Sequence, residues 1–576
     1  MSDRVNSTDP IIMANITDTA DTATAETFSF MPSLSTILFI LLLIAVAVII
    51  VYYFWYAKEP MKTGEELPSD VISIIEPDDT IVSVLEKIKD KYGSYTAIRH
   101  CDTAITYTEY YNKASSLSQR LLYFIGPNPR VALMPFNRPE WLYVQLGTAM
   151  SNGVICLIDE YAGAGADTDA DAGADAGAGA GANTKSYYSR IIDESCADLM
   201  VVENIKQLRM LDGVKMTTVK LILVLDFGDR SRDIMLISAI KKQNPHLDVM
   251  PYDTFMSSSI FNKFCKTKGT YGSVLELDAD IEVPKPYPED IALIIYSDTG
   301  TGVVHTHGSI LSAVKSCIYA IRSRSNIDID IGERFLTLQS NTHNMQTVLM
   351  NLYVPICIVG CVYMAHFQDA QLTSVLSQVR PTIFAADPGV WKSIRSSVEA
   401  EQNKPSITAT LKRLVGSSKL IKTNIGLDYA KYNIVMHNKP GTDVGASDHI
   451  DFFSGIGIEL CLAYCSNEAL IISMGVPGSS KGFGVPIMDL KIDPEDSAVL
   501  VRGKTLFKSY YKNQTATDAA FDVRSSKRSN SSKNSSKNSS KKSSKKSKKK
   551  RSHKWLKTGC TGYVDRSGYL FLINPI

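Results

Sequence analysis

Residues 27 to 57 contain no charged side chain, and within them Leu34 to Trp55 reads LSTILFILLLIAVAVIIVYYFW. At about 1.5 Å per residue such a run is long enough to cross roughly 30 Å of hydrocarbon. The sequence therefore predicts a single transmembrane helix over 34–56, separating a short tail, 1–33, from a large body. A secretory leader would have a shorter apolar region preceded by positive charge. The tail here is acidic instead, through Asp3, Asp9, Asp18, Asp21 and Glu26. Tyr52, Tyr53, Trp55 and Tyr56 form an aromatic belt, and Lys58 and Lys62 follow it. Positive charge on that side assigns the body to the cytoplasm and the tail to the lumen. The sequons at Asn6-Ser7-Thr8 and Asn15-Ile16-Thr17 fit this orientation, which is compatible with the endoplasmic reticulum.

The rest of the 576 residues, 44% apolar and 21% charged overall, can bury a large core and several subdomains. A net charge of +1 argues against a surface built for nucleic acid, so a charged partner must be met locally. Ten cysteines are scattered in mostly apolar surroundings rather than in a disulfide framework. The spacings Cys357–Cys361 and Cys461–Cys465 could hold zinc, but both segments read as buried strands without a paired histidine. They are expected to be small buried hydrophobes.

Two low-complexity stretches interrupt the body. Gly163 to Ala182 contains only Ala, Gly, Asp and Thr and lies in an insert over 162–184 that is expected to be a surface loop. Ser525 to His553 is almost wholly Ser, Lys, Asn and Arg, too poor in apolar residues to repay the entropy of ordering. Its basic run, Lys541-Lys542 to Arg551, suits anionic lipid headgroups. It lacks the interleaved aromatics that stack on bases, which argues against nucleic acid. Elsewhere short apolar runs, at Val131–Met134, Leu221–Leu225, Ile291–Ile295 and Ile434–Met436, alternate with amphipathic segments such as Trp141–Met150. That alternation predicts an α/β architecture with largely parallel sheets covered by helices.

A series of weak motifs then occurs in a telling order. Arg138-Pro139-Glu140-Trp141 resembles the "NRPEW" region of long-chain acyl-CoA synthetases, members of the AMP-binding, adenylate-forming enzymes. Asp290 to Tyr296 resembles the strand entering that family's phosphate loop, and Thr306 to Ile310 the segment leaving it. Val379 to Ile394 is similar to "KPTxFxxVPRVWEKI", and Asp451 to Glu468 to the segment ending in "YGLTE". Val499 to Phe521 resembles "ILVRGPxVMxGYYKNPEATxxAF", and Lys554 to Leu572 resembles "GWxxTGDIGxxDxDGYLxI". The match runs from about residue 60 to 576 apart from the inserts: 60–524, then 554–576 after the insert 525–553. It implies the large domain of an adenylate-forming enzyme, with stacked α/β subdomains and a small β-rich subdomain. The family's small C-terminal domain, which brings a second lysine, is expected to be absent, because the sequence given stops at Ile576.

Such enzymes join a fatty carboxylate to the α-phosphate of ATP with loss of pyrophosphate, then pass the acyl group to coenzyme A. Their site needs a loop that cradles phosphates, a carboxylate for Mg²⁺ and a grip on adenosine. Where the family has "YTSGTTGxPKG", this chain has Tyr296-Ser297-Asp298-Thr299-Gly300-Thr301-Gly302-Val303, a shorter loop without the lysine. Asp298 places a carboxylate where polyphosphate would approach; two like charges 4 Å apart repel by on the order of 4 kcal/mol at an effective dielectric of about 20. Thr299, Gly300, Thr301 and Gly302 are what remains to bind ATP, the alternative being a structural turn.

The resemblance carries over the remaining roles with gaps. Tyr464-Cys465-Ser466-Asn467-Glu468 stands for "YGLTE", so Tyr464 and Asn467 would lie near the adenylate and Glu468 would hold Mg²⁺. The alternative for Glu468 is a solvated loop residue. The adenine-facing "SGAAP" reads Met436-His437-Asn438-Lys439-Pro440, whose bulk would narrow a base pocket unless the segment is a polar surface loop. The "TGD" aspartate that takes the ribose hydroxyls is Cys560, a weak, uncharged acceptor. His343 matches the histidine of "PLAH" beside the acyl site. Three readings follow: a membrane-anchored synthetase-like protein impaired in catalysis that keeps a fatty-acyl or acyl-CoA cavity or a scaffold role, an active ligase using ATP and Mg²⁺, or a tethered interaction protein acting through its basic insert.

Overall fold

The computed structural model describes residues 75–159, 178–227, 230–257, 285–296, 300–324, 327–338, 348–365, 371–403, 418–437, 446–477, 482–522 and 554–575. The apolar run Leu34–Trp55, His343, Asp298, Thr299, Lys439 and the Ser/Lys insert lie outside these residues. Among the described residues no helix is long and apolar enough to cross a membrane.

Strand and helix alternate as the apolar runs predict, and the strands assemble into three sheets. In the eight-stranded sheet Asp248–Pro251, Leu221–Asp226, Leu199–Asn204, Arg130–Leu133, Val154–Ile158 and Ile291–Tyr296 lie parallel in that order. Gly302–Thr306 returns antiparallel to Ile291–Tyr296, and Ser509–Tyr510 pairs with it as the edge. A nine-stranded sheet has a parallel centre that runs through Arg334–Leu338, Ile383–Ala386, Tyr432–His437 and Leu460–Ser466. Leu470–Met474 folds back antiparallel on the last of these. A smaller antiparallel sheet carries Asp489–Ile492, Ala498–Arg502, Trp555–Val564 and Leu570–Pro575. It is the β-rich subdomain the family resemblance implies.

The side-chain period of two assigns each strand residue to a layer. Val131 and Leu133 face a large core shared with the nine-stranded sheet, while Ala132 between them faces a second core under the helix Ala178–Ser195. Likewise Ile434 and Met436 face the shared core, and Val435 faces a third core around Trp391 and Phe453. Helices between the two sheets fill the middle. Pro139–Met150 is buried on nearly every side, as expected of a helix apolar all round. Gly147 lets it approach helix Tyr107–Phe124, since a Cβ there would stand 2.7 Å from the Ala114 carbonyl. Reciprocal side-chain caps start three helices: Thr80 with Ser83, Thr106 with Glu109 and Thr306 with Ser309.

Three local expectations are corrected. The Ala/Gly insert is not loop throughout: helix Ala178–Ser195 begins inside it, because alanine propagates a helix whose later turns bury Tyr188, Ile191 and Ile192. Cys357 ends a short helix, Val354–Cys357, rather than lying in a strand, although it is buried as expected. Met436 and His437 are not a polar surface loop; they close the buried strand Tyr432–His437 and are 6% and 4% exposed.

Candidate functional site

The three sheets meet around one turn. Strand Leu460–Ser466 delivers Tyr464 at its end, and the turn that follows presents Asn467 and Glu468 before Leu470–Met474 begins. From the eight-stranded sheet, Tyr510 donates its hydroxyl to Glu468 Oε1 at 3.0 Å. His305, on strand Gly302–Thr306 of the same sheet, holds the Asn467 carbonyl through Nε2 at 2.6 Å. The Phe507 amide donates to the Glu468 carbonyl at 2.7 Å. Backbone and side chain of Glu468 are thus both fixed from across the sheet boundary.

From the small sheet, Cys560 closes the other side. Tyr464 donates its hydroxyl to Cys560 Sγ at 3.2 Å, and the thiol is 5% exposed. Burial raises the Cys560 thiol above its ordinary range, and burial, then Cys560 itself, holds the Tyr464 phenol well above its own. Both groups therefore stay neutral near pH 7. His437 meets Phe483 edge to face at 5.2 Å, and Phe483 in turn meets Tyr464 at 6.1 Å. His437, in the segment where the family pattern has small residues, thus joins an aromatic wall with Phe483 and Tyr464.

The glycines of the shortened loop face elsewhere. Gly300 has a left-handed φ of 70°, and its carbonyl accepts from Arg190 Nη1 at 3.2 Å. A Cβ at Gly300 would overlap the Arg190 guanidinium at 2.1 Å, so arginine and glycine are packed face to face. Thr301 is half-buried, and Gly302 is buried with its carbonyl bound to the Tyr511 amide at 2.7 Å. Arg190 projects from helix Ala178–Ser195, on the face of the sheet that Val304 shares, whereas Val303 faces the shared core.

Of the predicted site residues, Tyr464, Asn467 and Glu468 are brought together, while Gly300 meets Arg190 and Gly302 meets Tyr511, with the half-buried Thr301 between them. His305, Tyr510 and Arg190 were not singled out from the sequence. His305 has a legible signal, being a polar residue at an inward position of the apolar strand Gly302–Thr306. Burial lowers its pKa to about 4, so it stands neutral between Asn467 and the Ser309 hydroxyl, 3.2 Å away.

Fit to the family's ligands is uneven. Glu468 is a carboxylate suited to a divalent cation, with Oε1 already engaged by Tyr510. Ribose hydroxyls find no carboxylate at Cys560, whose sulfur is occupied by Tyr464. The residues present therefore do not fit adenosine as the family pattern does.

Residues 85–511 match the AMP-binding enzyme family. This chain belongs to that family. A long-chain-fatty-acid–CoA ligase of Rattus norvegicus, ACSBG2, is 23% identical over 403 residues, covering 65% of this chain and 52% of the ligase. Its Homo sapiens counterpart is 21% identical over 395 residues, with the same shares covered. The chain thus spans about half the length of the curated relatives it matches. Among solved structures, the A domain of a carboxylic acid reductase from Segniliparus rugosus superposes with a TM-score of 0.60 at 11% identity, covering 90% of this chain and 78% of that one. A Mycobacterium tuberculosis fatty acyl CoA synthetase gives 0.54 at 16% identity, covering 86% and 78%. These likenesses establish a mixed α/β adenylate-forming fold and an acyl-CoA synthetase-like member of the family.

Proposed function

We propose that this member of the AMP-binding family is a membrane-anchored protein that binds a fatty-acyl ligand without activating it. The observation that carries the reading is the Tyr464–Cys560 hydrogen bond at 3.2 Å, which puts a buried neutral thiol where the family pattern has its ribose-binding carboxylate. Other features support it. The loop at Gly300–Gly302 lacks a lysine and packs on Arg190, and Met436 and His437 fill the adenine-facing segment with buried bulk. Each removes part of the apparatus that would stabilise charge developing on phosphate oxygens.

The anchor of the proposal is the apolar run Leu34–Trp55, with the tail lumenal and the body cytoplasmic. In this reading the basic insert 525–553 adds a contact to anionic headgroups of the same membrane.

The active-ligase reading is favoured by one observation, the preformed setting of Glu468 against Tyr510. In that reading Glu468 holds Mg²⁺ while Thr299 to Gly302 meet ATP.

Thermal unfolding of the detergent-solubilised full chain separates the two. A ligand that binds the native state raises the melting temperature. Binding without activation requires a rise with a long-chain fatty acid and none with ATP and Mg²⁺; a rise with ATP and Mg²⁺ that Glu468→Ala removes would favour the ligase.

A further inference from the structure

We propose that Cys196 and Lys512 form a covalent bridge when the protein meets a peroxide, a redox site distinct from the Glu468 turn. Cys196 follows the helix Ala178–Ser195 with a left-handed φ of 54°, and Lys512 follows the edge strand Ser509–Tyr510 with a left-handed φ of 51°. These two turns, 316 residues apart in the chain, place Lys512 Nζ 3.1 Å from Cys196 Sγ. The same ammonium donates to the Glu194 carbonyl at 2.8 Å, at the negative end of the helix. Arg130 binds the Ser195 carbonyl and lies 5.1 Å from the centroid of the Tyr511 ring, so a second cation meets the residues that adjoin Cys196 and Lys512. Hydrogen bonding to Cys196 raises the Lys512 amine above its usual range.

The pair differs from the other thiols described. Cys156, Cys317, Cys357, Cys361, Cys461, Cys465 and Cys560 are buried, while Cys196 is half-buried and within reach of a small oxidant. Cys101 is exposed, and its partner is an imidazole rather than an amine, the His100 ring at 4.0 Å.

The reaction balances with a peroxide as oxidant. Cys196 thiolate attacks one peroxide oxygen and the O–O bond breaks; the leaving hydroxide takes a proton and departs as water. Sulfur loses two electrons and becomes sulfenic acid while the peroxide is reduced. The ammonium has then lost its anionic partner and releases a proton to solvent. The free amine attacks sulfur and the S–O bond breaks. A second water leaves with one of the two amine protons, the other stays on nitrogen, and an S–N sulfenamide joins the two side chains. A thiol reductant restores both by attacking sulfur and releasing the amine.

The bridge would tie together the two segments that flank the shortened loop. The Tyr511 amide holds the Gly302 carbonyl at 2.7 Å, and Arg190, on the helix Cys196 terminates, holds the Gly300 carbonyl at 3.2 Å. Oxidation at Cys196–Lys512 thus fixes the loop stem from both sides.

Peptide mass mapping of the full chain after mild hydrogen peroxide tests this. The expected product is a cross-linked peptide pair containing Cys196 and Lys512, lighter than its parts by two hydrogens and released by dithiothreitol. Lys512→Arg keeps the charge but offers no such amine. In that variant Cys196 should stop at sulfenic acid, and dimedone labelling at Cys196 should rise several-fold over the unaltered chain. Equal dimedone labelling in both proteins with no cross-linked pair overturns the proposal. So does a Cys196 that stays reduced when Cys101 is fully oxidised.

Discussion

Tyr464 and Cys560 are joined by a hydrogen bond of 3.2 Å between a strand of the nine-stranded sheet and a strand of the small one. A phenol and a thiol, both neutral and both buried, make a stable closure of the site rather than a grip on a sugar. Restoring the family's aspartate would place a carboxylate in that dry pocket.

Cys560→Asp is therefore expected to destabilise the protein by on the order of 3 kcal/mol, the cost of burying a charge with one weak donor. Chemical denaturation measures it. ATP should still leave the melting temperature unchanged, since the loop lysine is also missing.

Tyr510→Phe removes the donor that fixes Glu468 Oε1 at 3.0 Å. A loss of about 1 kcal/mol in denaturant unfolding is expected. Phe507 still holds the Glu468 backbone, so the turn itself should persist.

His305 and His307 are buried, and burial lowers both to about 4 from an ordinary 6.5. The His307 Nδ1 accepts from the Ile81 amide at 3.4 Å, a role available only to the neutral ring. Between pH 6.5 and 4 the unfolded chain binds protons there that the native state refuses, so stability rises with pH across this window. Denaturation midpoints should fall as pH drops through it. His307→Gln, which keeps an acceptor and cannot titrate, should flatten the slope.

Gly300→Ala forces a side chain onto a φ of 70° and against the Arg190 guanidinium at 2.1 Å. A loss of about 1 kcal/mol is expected from the backbone alone, with more from the overlap. Arg190→Ala in the same chain should relieve only the second part, a coupling that a double-mutant cycle reads directly.

Much of the fold was legible in the sequence because buried parallel strands must be continuous apolar runs. Val131–Met134, Leu221–Leu225, Ile291–Ile295 and Ile434–Met436 each fall on such a strand, with ends that agree within two residues. The Tyr464-to-Glu468 turn was legible through its order among other motifs. What sequence could not supply were contacts between distant segments. His305 and Asn467 are 162 residues apart, and Arg190 and Gly300 are 110 apart, so no local spacing announces either pair. The segment Met436 to Pro440 read either as bulk that narrows a base pocket or as a polar surface loop; Met436 and His437 are buried because the strand Tyr432–His437 runs on between two cores.

Fatty-acid-dependent exchange of pyrophosphate into ATP tests the central claim most directly, because it reports adenylate formation alone. The expected result for the full chain is exchange no faster than that of Glu468→Ala at any fatty-acid concentration. Exchange that rises with fatty acid and falls to background in Glu468→Ala would contradict the account.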